Sequence, residues 1–291
     1  MAIAEAEPVP AAVPVPVALS EARALPEAVV PCWSCIKLKA TLVYCCLLLL
    51  TSQPQPLSLV FRPKPAVDGV IQERHPGIIL YSEIFQMTGP VKRTACILAG
   101  HGFVVLVPEV YHELLPPGTV LAYTPEDSAR GNACKKDKAL ASYDADAAAA
   151  VAFLEQHPAC SGRVGAAGMC LGGGLAFRAA LQPRVRAAVC WYATDLHTAA
   201  LSKTGDDSLA RAGEVRGRLL MIWGNADPHV PLAGRRKIQD ALVEAGAKFE
   251  WHEFAGAHAF LRDENSFGRY DPVLAMQTYA MAAEFLHRWL R

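Results

Sequence analysis

The chain has 291 residues, 52% hydrophobic and 19% charged, enough apolar material for one large α/β domain or two small ones and too much for general disorder. Its 28 basic and 28 acidic residues cancel to a formal net charge of zero, which removes the electrostatic case for binding nucleic acid or an anionic membrane surface. Nine cysteines at irregular spacings do not make the evenly counted framework of a small secreted domain and point to a reducing compartment, the cytoplasm.

Composition breaks near residue 56. Residues 1–31 are rich in Ala, Pro and Val (VPAAVPVPVA), and proline at that density opposes helix and sheet alike, so a partly disordered or polyproline-like extension is expected. The apolar run 41–50, TLVYCCLLLL, is too short for a spanning helix, which needs about 20 apolar residues. It has the length of a signal-peptide core but begins late and lacks a cleavage site. A buried strand, a short helix at the domain edge, and an organelle-targeting role for the extension remain open. Cys32-Trp33-Ser34-Cys35 with Cys45 and Cys46 is a weak zinc or redox signal, since no nearby histidine completes a ligand set.

From residue 77 the pattern is regular. Residues 77–81 (GIILY) read as a buried strand, 91–99 as a helix and 102–108 (GFVVLVP) as a second strand. The stretch 112–137 reads as poor in helix. A helix follows over 138–157, stopped by Pro158, then a strand over 163–169 and a helix opening at Leu171. Strands at 185–192, 218–223 and 248–254, with helices at 232–245 and 272–290, complete the chain. Short apolar strands alternating with helices predict an α/β fold, a mostly parallel sheet covered on both faces. The domain spans 57–291 and residues 1–56 form an extension.

The strongest local signal is Gly168-Met169-Cys170-Leu171-Gly172-Gly173, between a strand and a helix, the context a nucleophile elbow requires. Cys170 stands at a helix N-terminus, where the macrodipole and free N–H groups favour a thiolate. Gly-rich turns also surround buried structural cysteines, so the pentapeptide is weighed with its partners. GxGxxG is absent, which weakens a dinucleotide site. Asp227, in WGNADPHVP after the strand 218–223, and His258, in FAGAHAF after the next, follow in the order nucleophile, acid, histidine. Each alone is a turn former or one histidine among nine; together at strand ends they make a Cys-His-Asp triad. A free thiol of pKa about 8.5 is only about 3% thiolate at pH 7, which is why partners are needed. Glu83, ending the strand 77–81, is a carboxylate in apolar surroundings and needs a partner. The loop it opens supplies an oxyanion-hole N–H in such folds, so the backbone N–H groups of Leu171 and Ile84 are the expected hole.

With S-E-I-F at 82–85, G-M-C-L-G-G at 168–173, G-N-A-D-P-H-V-P at 224–231 and G-A-H-A-F-L-R at 256–262, the chain resembles the dienelactone hydrolase (carboxymethylenebutenolidase) family within the α/β-hydrolases. The resemblance runs from about residue 77 to the C-terminus. It implies Cys170 as nucleophile, Asp227 and His258 as its partners, and Glu83 as a gate that meets the resting thiol and takes its proton when substrate enters. It further implies that Arg262, and a second arginine near Arg130, grip a substrate carboxylate. A pairing of Arg262 with Asp263 or Glu264 at the surface is the alternative. The implied reaction is hydrolysis of a small carboxylated lactone or ester, with neither metal nor organic cofactor. A broader carboxylesterase or thioesterase and a non-catalytic small-molecule-binding hydrolase fold are the other readings. The oligomeric state is not legible. Ahead of residue 77 the family's two leading strands have no evident counterpart.

Overall fold

The described residues of the computed structural model are 28–31, 43–48, 58–63, 73–265 and 267–291, with the backbone alone described in the first two segments. Residues 1–27 and the Cys32–Cys35 pair lie outside them.

Nine strands form one sheet in the order β1-β2-β3-β5-β4-β6-β7-β8-β9. β1 (Ala28–Pro31), β2 (Val43–Leu48) and β3 (Ser58–Pro63) are joined antiparallel, and β3 pairs antiparallel with β5 (Val104–Pro108). All the remaining pairings, among β5, β4 (His75–Tyr81), β6 (Cys160–Met169), β7 (Val185–Trp191), β8 (Arg218–Gly224) and β9 (Phe249–Phe254), are parallel. The apolar run 41–50 thus contributes strand β2, and leading strands stand ahead of residue 77 after all. Of the readings left open for that run the strand is the one that holds, whereas β1, set in proline-rich sequence, was not expected.

The central strands alternate strictly between two cores, as a period of two requires. Ile78 and Leu80 of β4 and Val189 and Trp191 of β7 face one core, with helices α1 (Gly89–Gly100) and α6 (Pro272–Leu290). Ile79 and Tyr81, with Ala188 and Cys190, face the other, under α3 (Leu140–Gln156), α4 (Leu171–Ala179) and α5 (Leu232–Glu244). Burial on both faces explains why these strands read as continuous apolar runs.

Helix α2 (Pro125–Asp137) corrects the expectation of a helix-poor stretch at 112–137. Its apolar pattern is weak, but its ends carry signals. The Thr124 hydroxyl accepts from the Asp127 N–H, Pro125 opens the helix, Glu126 and Asp127 fill the first turn, and Lys135 and Lys136 the last, each suited to the helix dipole.

Chain order places the crevice. β4 leads through α1 to β5 on one side, whereas β6 lies on β4's other side, reached through α3 on the opposite face. The C-terminal ends of β4 and β6 therefore flank the point where the winding reverses, the position at which open α/β sheets bind ligands. Tyr81 pairs with Gly168 there, and the first turn of α4 sits on that pair. A side chain at Gly168 would strike the Gly172 carbonyl, and one at Gly172 would strike the Tyr81 carbonyl. Gly168→Ala should therefore destabilise the fold by about 1–3 kcal/mol or more through overpacking. Gly100→Ala, at an open helical position, should be neutral or slightly stabilising; urea unfolding of the two variants beside the parent checks both.

Candidate active site

Cys170 occupies the turn between β6 and α4 with φ 59° and ψ −121°, a conformation that costs a non-glycine residue about 1–3 kcal/mol and persists only where surroundings impose it. They do so here. The Cys170 N–H donates to the Trp191 carbonyl (3.1 Å), and its own carbonyl accepts from the N–H groups of Gly173, Gly174 and Thr194 (3.0, 3.3 and 3.1 Å). Cys170 is 9% exposed, and Leu171, the first helical residue, carries an N–H for which the helix has no acceptor.

His258 and Asp227 stand where the sequence expectation put them, after β9 and β8. The Nδ1–H of His258 donates to Asp227 Oδ2 (2.7 Å), and the other carboxylate oxygen of Asp227 accepts from the His229 N–H (2.7 Å). An ionised carboxylate accepts only, so the proton lies on Nδ1, which leaves Nε2 without one. Burial pulls the imidazole pKa down, but Cys170 and Asp227 together outweigh it and lift it to about 10. For Asp227 burial raises the pKa, and His258, then the His229 N–H, overturn that and hold it below the ordinary carboxylate range. Tyr192 meets the His258 ring edge-on (centroids 5.0 Å apart) and His229 lies tilted against it at 4.4 Å, so the ring is fixed by packing as well as by Asp227.

Glu83 and Arg262 meet each other. Arg262 Nε and Nη2 donate to the two oxygens of Glu83 (3.1 and 2.9 Å), with both side chains buried. The resemblance set Glu83 against the resting thiol; its partner in the structure is the guanidinium, whose fork matches a carboxylate in two parallel bonds. Arg262 is further held over the rings of Tyr123 (4.3 Å) and Phe85 (5.2 Å), favourable placements for a cation. The surface alternative for Arg262 is overturned, because Arg93 takes both Asp263 and Glu264. Ile84 follows Glu83 in the turn closed by Gln86 N–H to Glu83 O (3.2 Å), and its carbonyl packs against Gly131 of α2. Arg130 is exposed on that helix, and its charge is felt at Cys134.

Sequence reasoning missed Tyr123, Tyr192, Thr194, Asp195 and His229, all of which line or brace this centre. Tyr192, Thr194 and Asp195 directly follow β7, so the strand-end rule that found Asp227 and His258 could have found them.

A sheet wound in this way with a strained strand-to-helix turn at its reversal point is the α/β-hydrolase fold. A family model for the dienelactone hydrolases matches residues 63–290, and the chain belongs to that family. A Saccharomyces cerevisiae protein, named provisionally as a carboxymethylenebutenolidase, is 41% identical over 78% of this chain and 85% of its own length. The carboxymethylenebutenolidase of Pseudomonas putida is 29% identical over 66% of this chain and 77% of its own. A Klebsiella pneumoniae structure, named provisionally as a dienelactone hydrolase, superposes with a TM-score of 0.67 over 85% of this chain and 99% of that one, at 21% identity; at that identity it speaks for the fold.

Breaking a buried ion pair leaves an uncompensated charge and costs about 3–5 kcal/mol. Glu83→Gln and Arg262→Met should each lower stability by about that much, and the double variant should recover most of the loss; a double-mutant cycle in urea reads the coupling.

Proposed function

We propose that the chain hydrolyses a small lactone or ester through an acyl-thioester on Cys170, with His258 and Asp227 as its partners. As a member of the dienelactone hydrolase family it is a carboxylic ester hydrolase. The observation that carries the finer reading is His258 bonded to Asp227 and coupled electrostatically to Cys170, which stands at the N-terminus of α4.

The Cys170 thiol passes its proton to His258 and its sulfur attacks the carbonyl carbon, and the carbonyl electron pair moves onto oxygen, where the N–H groups of Leu171 and Ile84 hold it. Collapse expels the ring oxygen, which takes a proton from His258; water, with His258 now the base, releases the acyl group and returns the thiol. Asp227 keeps the imidazole in the tautomer this cycle needs and stabilises its charged form. Arg262, with Arg130 as a second cation, grips a carboxylate on the substrate. Since Glu83 already holds the Arg262 fork, a substrate carboxylate competes with Glu83 for it, and that competition supports a gating role for Glu83.

The domain that does this is residues 57–291, and the extension 1–56 adds β1 and β2 to the edge of its sheet. Cys134, Cys160, Cys170 and Cys190 are free thiols, and among the described residues no helix is long and apolar enough to cross a membrane.

Hydrolysis of a dienelactone and of a p-nitrophenyl ester, by the parent and by Cys170→Ser, tests the reading. Both the lactone and the cysteine are supported if lactone turnover falls by about 10³-fold or more in the variant, a loss typical of removing a nucleophile. Cysteine-dependent turnover of the simple ester alone would keep the triad and discard the lactone, and turnover untouched by the substitution would discard the nucleophile.

A further inference from the structure

A second polar chain ends at the Cys170 sulfur. It begins at Lys135 on α2, whose ammonium donates to Asp195 Oδ1 at 2.6 Å, the two side chains being 9% and 10% exposed. The other carboxylate oxygen of Asp195 accepts from the Thr194 hydroxyl, also at 2.6 Å. The Thr194 oxygen in turn lies 4.0 Å from Cys170 Sγ. Its backbone is pinned as well, because the Thr194 N–H donates to the Cys170 carbonyl (3.1 Å) and Asp195 takes φ 72° to turn its carboxylate inward.

The direction of the hydrogens follows from the donors available. A carboxylate is acceptor only, an ammonium donor only, and a hydroxyl has one proton. Asp195 therefore takes the Thr194 proton in a charge-assisted bond, the stronger kind. What remains toward the sulfur is oxygen lone pairs, which attract an S–H and repel a thiolate. To donate to S⁻ the hydroxyl must leave Asp195, whose oxygen would then be buried without its partner.

We propose that Thr194, locked in this sense by the Lys135–Asp195 ion pair, is a positioning residue that disfavours the thiolate of Cys170. Its effect is opposite to that of His258, which draws the proton away where Thr194 holds it on. The other groups coupled electrostatically to Cys170 are His258 and Arg262 after β9, Tyr111 after β5 and Tyr192 after β7, with Glu83 paired to Arg262. None of them fixes the direction of the Thr194 proton.

The inference deepens the nucleophile reading and rests on it for its catalytic meaning, but its test does not use turnover. The rate of iodoacetamide alkylation at Cys170, read by peptide mass spectrometry between pH 5 and 10, reports the thiolate of that one cysteine. In Thr194→Val, nearly equal in shape and without the hydroxyl, the midpoint of that profile should fall, and alkylation below both midpoints should speed up about threefold, the scale of one weak hydrogen bond. Thr194→Ser, which restores the hydroxyl, should return to the parent profile and excludes a packing effect. A midpoint that rises in Thr194→Val would make Thr194 a donor to the thiolate, and one that does not move would make it a bystander; either overturns the proposal. If instead lactone and ester turnover survive in Cys170→Ser, the nucleophile reading falls while the alkylation result stands on its own.

Discussion

The site depends on how closely the first turn of α4 can approach the ends of β4 and β6. Gly168 and Gly172 permit contact between backbone atoms that any side chain would forbid. That contact holds Cys170 at positive φ, and the strained turn lifts its side chain to the reversal point of the sheet, at the positive end of a helix dipole. Everything else reaches Cys170 from neighbouring strand ends: Trp191 and Thr194 after or at the close of β7, Asp227 after β8, His258 after β9, Glu83 after β4.

Charge in this crevice is handled in pairs. Asp227 with His258, Glu83 with Arg262 and Asp195 with Lys135 are all buried ion pairs around one sulfur. Burying a lone carboxylate or ammonium is strongly unfavourable, whereas a paired and hydrogen-bonded one is tolerated. Each pair leaves one member with a further task. His258 keeps a nitrogen for Cys170, Arg262 has a fork that a second carboxylate can claim, and Asp195 aligns Thr194. Such arrangements are poor devices for stability alone, so three of them around one thiol accord with a working site.

Much of this was legible before any coordinates. The β4 and β6–β8 strands announce themselves as apolar runs because they are covered on both faces, and the G-M-C-L-G-G turn and Asp227 fall at their ends, with His258 after the edge strand β9. Helix α2 was missed because a solvated helix carries little apolar periodicity, although Thr124, Pro125 and the terminal charges mark its boundaries. Strand β1 was missed because proline-rich sequence surrounds it, and β2 was left open between strand and short helix because a run of that length suits either.

The sequence by itself determined the fold class, the strand-to-helix turn at Cys170, and the order of Cys170, Asp227 and His258 at strand ends, because these are local: glycine spacing, strand burial and position along the chain. Which carboxylate pairs with which cation was decided only by the tertiary structure. Glu83 and Arg262 are 179 residues apart, and Lys135 and Asp195 60, so nothing in their neighbourhoods along the chain could match them. The same holds for Thr194, whose hydroxyl is ordinary until the fold sets Asp195 on one side of it and the Cys170 sulfur on the other. Hydrogen-bond direction is a property of three groups brought together, and only the packed sheet brings them together.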